Sequence, residues 1–217
     1  MKSKLKRLVC LVFSLMLIVA GIPGVSGTAS ASTTPVPLSS LSTGNTVWFA
    51  GYRWIVLNPA TGYLFMRDSY GSEQVFDSNG SGTFNPSSSA NIGYYLNNTF
   101  YNSLPSTDRP LIQSHSWPTG NETNESSSSV DCGIGLISYS EFNTYKSTIN
   151  YYRNDCWWTR TNSSGGAGLT WSVLPDGSGL ISASCRTAGI VHPALYLNPG
   201  ILVSGGNGGT VIGGTYE

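Results

Sequence analysis

The side chains best equipped for chemistry in this sequence are Trp157, Trp158 and Arg160, in the run Cys156-Trp-Trp-Thr-Arg-Thr161, together with Trp171. Indole rings stack on sugar faces, and a guanidinium bonds hydroxyls or a carboxylate. Alternation along a strand puts Trp157 and Thr159 on one face and Trp158 and Arg160 on the other, so that one face can be core and the other exposed. The set reads first as packing, with Arg160 bracing a carboxylate or carbonyls across a sheet, and second as a ligand platform. Glu141 and Asp155 are the candidate partners of Arg160. In the second reading the ligand-binding residues are Trp157, Trp158, Arg160, Trp171, Asn154 and Asp155.

Other chemistry finds less support. A serine nucleophile needs a histidine and an orienting acid, yet no G-x-S-x-G elbow occurs and the two histidines have plainer readings. His192 precedes Pro193 within a strand, and His115 lies in a loop beside Trp117. Acidic residues are few and scattered, without the paired spacing of a glycosidase. Asp77-Ser-Asn-Gly-Ser-Gly82 matches the first half of an EF-type calcium loop, but Ser88 stands where the bidentate carboxylate belongs, so a plain turn is expected. Cys132, Cys156 and Cys185 are disulfide candidates, an odd set that allows at most one internal bond. No C-x-x-C occurs, and no metal or cofactor is assigned. The expectation is a protein that is not an enzyme.

Composition narrows the class. The chain has 217 residues, 40% hydrophobic and 12% aromatic, but only 10% charged, against roughly 25% in ordinary soluble domains. Its surface must therefore be hydroxyl and amide. Lys2, Lys4, Lys6 and Arg7 precede the apolar run Leu8–Ile22, and Ala29-Ser-Ala31 follows, the pattern of a secretory signal peptide cleaved after Ala31. That run is short of the roughly 20 residues that span a bilayer, so no membrane span is expected in the mature chain. Cleavage removes four of the 11 basic residues and none of the 11 acidic ones, leaving seven against 11 and a net charge of −4. A nucleic-acid footprint is absent, and the protein is expected to be extracellular.

The elements that must position these residues follow from pattern. Residues 32–44 are rich in Ser, Thr and Pro and read as a flexible leader. Three aromatic and β-branched runs, 46–50, 53–57 and 62–67, read as an antiparallel meander. Residues 76–90 are loop; Ile92, Tyr95, Leu96, Phe100 and Leu104 then form a helical stripe. A polar tract at 117–130 reads as a long exposed loop. Residues 133–137 form a short strand, and Ser138-Tyr-Ser-Glu141 is a capping box opening a second helix. Strands return at 156–161, 169–174, 180–185 and 190–198, with a hairpin at Asp176-Gly177. Residues 204–217 are a Gly-rich tail or an edge strand. The order implies one α+β domain over 45–203, with two helices flanking a sheet.

Five ordered motifs carry a family resemblance: Gly51-Tyr-Arg-Trp-Ile-Val-Leu57, Tyr95-Leu-Asn-Asn-Thr-Phe100, Leu136-Ile-Ser-Tyr-Ser-Glu141, Trp157-Trp-Thr-Arg-Thr161 and Gly189-Ile-Val-His-Pro-Ala-Leu195. They resemble a domain-of-unknown-function family of secreted Gram-positive bacterial proteins, across residues 44–203. Two departures stand out: His192 where the family has arginine, and Thr159 where it has leucine. Such domains look like distant members of the C-type-lectin-like and formylglycine-generating-enzyme-like fold group, which implies a twisted antiparallel sheet with two flanking helices and long polar loops. Asn154-Asp155 is similar to the calcium-holding pair of sugar-binding C-type lectins, but the accompanying Glu-Pro-Asn or Gln-Pro-Asp loop is missing. The resemblance leaves function open. The expected function is a non-catalytic recognition or adhesion module for a glycan or cell-surface protein, displayed on loops 77–90, 117–131 and 162–168. The alternatives are a structural domain of an envelope or phage-like assembly, or a hydrolase or thiol enzyme.

Overall fold

The computed structural model describes residues 34–149 and 155–215. The expected signal peptide and Asn154 lie outside those residues. The strands before the first helix are β1 (Val36–Pro37), β2 (Thr46–Phe49), β3 (Tyr52–Asn58), β4 (Tyr63–Met66) and β5 (Gln74–Val75). Helix α1 joins three consecutive segments, Ile92–Tyr94, a π-helical Tyr95–Phe100, and Tyr101–Ser103. Then come β6 (Ile112–Gln113), β7 (His115–Pro118), β8 (Ser129–Cys132), β9 (Ile134–Gly135) and helix α2 (Tyr139–Ile149). The last part holds β10 (Trp157–Asn162), β11 (Leu169–Val173), β12 (Leu180–Ser184), β13 (Ala188–Gly189), β14 (Ala194–Leu197), β15 (Ile201–Ser204) and β16 (Thr210–Thr215). The protein is α+β and mainly β, with two short helices.

Among the described residues the principal sheet has nine strands, ordered β1-β15-β16-β2-β3-β4-β14-β6, with β9 sharing an edge of β14. Alternation along the meander decides what each face buries. Val47, Phe49, Trp54, Val56, Leu64 and Met66 point to one side, where α1 supplies Ile92, Leu96, Phe100 and Leu104. Ile55, Leu57, Tyr63 and Phe65 point to the other, where α2 supplies Phe142 and Ile149. Apolar residues four apart on α1 form a stripe, so the expected helix and its docking face both appear. The β2–β3–β4 pairing and the β11–β12 hairpin also appear, antiparallel.

Four expectations need correction. The leader is not free past Thr34, because Val36 and Pro37 pair with Val203 and Leu202, and Leu38 is fully buried. Two leucines three residues apart, closed by a 3-10 turn, outweigh the surrounding serines. The C-terminal stretch is neither loose nor an edge, since β16 lies between β15 and β2. Its pairing with β2 is parallel, so the sheet is not wholly antiparallel. The polar tract at 117–130 is partly a hairpin, with Trp117 opposite Val130.

Two glycines separate conformational strain from steric exclusion. The β2–β3 connection is the two-residue turn Ala50-Gly51, both at positive φ (52° and 84°), which matches the strand twist. Gly62, at φ 71°, lies where an added Cβ would stand 1.9 Å from the Leu197 carbonyl oxygen. Gly51→Ala meets no atom and is expected to cost only the left-handed penalty, about 1 kcal/mol. Gly62→Ala must push β4 from β14 and is expected to cost more than about 3 kcal/mol. Urea unfolding of both variants checks the ordering.

Candidate binding cleft

The tryptophan and arginine set is inside the protein. Trp157 and Trp158 are 2% exposed and Arg160 is 1% exposed, so these three residues offer no surface to a ligand. Alternation holds for the two indoles, but both faces are core. Trp157 packs against Phe65, Phe142 and His192, with ring centroids at 5.5, 5.8 and 5.3 Å. Trp158 packs against Phe76 at 5.6 Å and donates its indole N–H to the Gln74 carbonyl at 2.9 Å. Trp171 is half-buried against Tyr139. Asp155 is exposed and accepts the Cys156 N–H at 2.7 Å.

Arg160 makes the contacts of a brace. A register shift in β10 between Trp158 and Asn162 breaks the alternation and places the guanidinium 5.1 Å from the Trp117 ring, on the α2 side. Its Nη1 and Nη2 donate to Glu141 Oε2 and Oε1 at 2.7 and 2.8 Å, and its Nε donates to the Pro118 carbonyl at 2.9 Å. Glu141 Oε2 also accepts from the Tyr63 hydroxyl and the Ser138 N–H, both at 2.8 Å. The capping box thus forms, with the Glu141 N–H returning to Ser138 Oγ at 3.2 Å. Glu125 gathers Ser138 Oγ and Thr161 Oγ1 at 3.0 and 2.7 Å, and the Ser140 hydroxyl as well. Burial opposes ionisation of Glu141, but Arg160 beside it holds the carboxyl below the usual range. Burial likewise opposes the charge on Arg160, and Glu141 reverses the effect and raises its pKa. These groups are saturated by one another, which suits architecture rather than acid–base catalysis.

Cys132, Cys156 and Cys185 all stand free, so none of the pairings open to these candidates is formed. Cys132 Sγ lies 3.4 Å from the Ile134 carbonyl, and Cys185 Sγ lies 3.4 Å from the Asp77 carbonyl. Burial raises all three thiols, that of Cys132 to about 11, with Asp155 adding to the effect at Cys156 and Asp77 at Cys185. Protonated thiols at neutral pH are poor nucleophiles. Asp77 forms the expected turn: its carboxylate accepts the N–H groups of Asn79, Ser81 and Gly82 at 3.1, 2.7 and 3.3 Å. His192 is buried between Phe65 and Trp157 with Nδ1 3.2 Å from the Met66 carbonyl, but it lies in the connection between β13 and β14 and not within the expected strand.

The accessible chemistry lies elsewhere. Loop 76–91 is closed on itself by Asn91, whose Oδ1 accepts from Asn85 and Gly93 N–H at 2.9 Å and whose Nδ2 donates to the Thr83 carbonyl at 2.8 Å. Asn91 also caps α1, so loop and helix are fixed as one piece. Opposite, β5 pairs with β13, and the Trp158 indole fixes the Gln74 peptide from behind. Between the two is a cleft of about 420 Å³, walled by Tyr94 and Tyr95 and rimmed by Glu73, Ser78, Ser89 and Thr99. Tyr94 is 37% exposed. Tyr95 is held by Tyr70, whose ring centroid is 6.0 Å away.

The tyrosines were legible only as helix. Tyr94 is two residues from Ile92 and Leu96 and therefore faces away from the apolar stripe, which is the one signal that pointed outward. Of the expected display loops, 77–90 borders the cleft, whereas 117–131 is pinned at Glu125 and at Glu122, which accepts the Ser164 N–H at 2.9 Å. No protein-family model matches the chain, and comparisons with curated proteins and with solved structures found no match either.

The ion pair gives a stability prediction. Glu141→Ala strands a buried guanidinium and is expected to cost about 3 kcal/mol, the low end for a broken buried pair because the Glu141 side chain keeps 23% exposure. A lowered carboxyl pKa contributes stability above the unfolded value, 4.5, and loses it as pH falls through the folded value. Unfolding midpoints in urea should therefore drop as pH falls below 4.5 in the native protein, and drop less in Glu141→Ala.

Proposed function

We propose that this chain is a secreted, non-catalytic recognition module that binds a glycan in the Tyr94–Tyr95 cleft. The observation that carries the reading is a rigid concave site with an aromatic wall and a rim of hydroxyls, amides and the Glu73 carboxylate. Such a wall meets the C–H face of a pyranose, and the rim exchanges hydrogen bonds with its hydroxyls. Tyrosine does this at low entropic cost, having few rotatable bonds. Asn91, the Asp77 turn and the Trp158 indole hold the site without a ligand, so little ordering has to accompany binding. Export rests on the Lys-rich start, the apolar run and Ala29-Ser-Ala31. The resemblance of the five motifs to a secreted Gram-positive family supports the same reading.

A second reading, a structural domain of a larger surface assembly, draws on a different feature. Trp48 and Ile212 are 43% and 53% exposed. Thr210 lies in register with Trp48, so alternation puts Ile212 on the Trp48 side of the sheet. Arg53 stands 5.9 Å from the Trp48 ring and pairs with Asp68. Apolar exposure of this kind marks association surfaces.

On a glycan array, with calcium and with chelator, the native protein is expected to retain a defined subset. Tyr94→Ala should weaken that retention at least tenfold while Trp48→Ser leaves it unchanged. Retention of no glycan, together with a mass in solution that rises with concentration and falls in Trp48→Ser, would replace the first reading with the second.

A further inference from the structure

We propose that the cleft continues into a second pocket in which Arg186 receives an anionic group, a carboxylate or sulfate ester, carried by the same glycan. The inference rests on the glycan reading above and names the ligand class within it. The second pocket holds about 340 Å³ and is lined by Gly80, Gly168, Leu169, Ser184, Cys185 and Arg186. Asp77 donates its N–H to the Cys185 carbonyl at 2.9 Å, continuing the ladder in which Val75 opposes Ala188. Ser78 and Ala188 border the tyrosine cleft, and Gly80 and Arg186 border the second pocket. The two sites are thus separated by two residues along each segment, a reach of at most about 7 Å because both segments turn there. One oligosaccharide can bridge that distance.

The guanidinium is prepared for an anion. Arg186 Nη2 donates to the Asn79 carbonyl at 3.1 Å, which pins one corner of the fork. Its plane lies so close to Gly80 that a Cβ there would stand 2.5 Å from Nη2. Gly80 is also at φ 83°. Arg186 is exposed and lines the pocket, and no carboxylate forms an ion pair with it among the described residues. Asp77, the acid nearest in the loop, spends both oxygens on the N–H groups of its own turn. A fork of parallel N–H donors matches carboxylate and sulfate oxygens two at a time, a geometry that lysine cannot reproduce.

The test uses the full chain on an array bearing neutral, carboxylated and sulfated glycans. Acidic glycans should dominate what is retained, and methyl esterification of a carboxylated binder should weaken it about tenfold. Arg186→Gln should bring acidic binders to the level of their neutral counterparts, Arg186→Lys should recover only part of the loss, and Tyr94→Ala should weaken neutral and acidic binders alike. The share of binding that Arg186 provides should also fall from 50 to about 500 mM salt, as a screened charge pair does. Comparison of the carboxylated and sulfated arms says which anion is taken. Retention of neutral glycans only, or acidic binding that Arg186→Gln leaves intact, overturns the anion pocket and leaves the tyrosine cleft standing. Retention of nothing overturns both.

Discussion

A guanidinium removed from water has to be given partners, and Arg160 finds all of its partners in stretches of chain far apart in sequence. Its carboxylate is on α2, its carbonyl acceptors are Pro118, at the end of β7, and Leu136, and its aromatic neighbour is Trp117. Glu141 extends the set to Tyr63 on the central meander. One charge therefore joins the principal sheet, the second helix, the β7–β8 hairpin and the bulged strand β10. Buried pairs of this kind add little net stability over a well-packed apolar alternative. What they impose is position, because a shift of any one of these four elements leaves an unsatisfied charge.

That constraint explains why the most conspicuous residues in the sequence are not at the surface. Trp157 and Trp158 lie on opposite sides of β10, and a strand between two cores has no free face. Trp158 still bears on the cleft at one remove, through the peptide of Gln74, which lines it. Loop 117–131 reads as display in composition, but Glu125 and Glu122 tie it to hydroxyls and N–H groups of neighbouring segments. Polarity there serves internal bonding. The loop around Asp77 and Asn91 is also internally bonded, yet it borders open space, and there the same chemistry yields a rigid rim.

Much of the architecture was legible because it is local. Period-two runs at 46–67, the four-residue stripe of α1, the Ser138–Glu141 capping box and the Asp176-Gly177 turn each announce themselves within a few residues. The pairing of Arg160 with Glu141 was legible as a choice between two acids, since few carboxylates exist to choose from. What could not be read depends on distant partners. Leu38 looks like part of a Ser-rich leader until Val203 is beside it, and the bulge in β10 is invisible to simple alternation. The cleft was hidden for the same reason: Tyr94 needs β13, which lies far along the chain, before it faces anything.

The placement of β16 bears on how the molecule is made. A strand from the far end of the domain is wedged parallel to β2, with β15 and β1 stacked outside it. Until residues 208–210 are at hand, β2 is an open margin of the sheet, bearing Trp48 and backbone groups without partners. A chain delivered from its N-terminus can therefore build its meander early but cannot seal it until almost the whole domain has emerged.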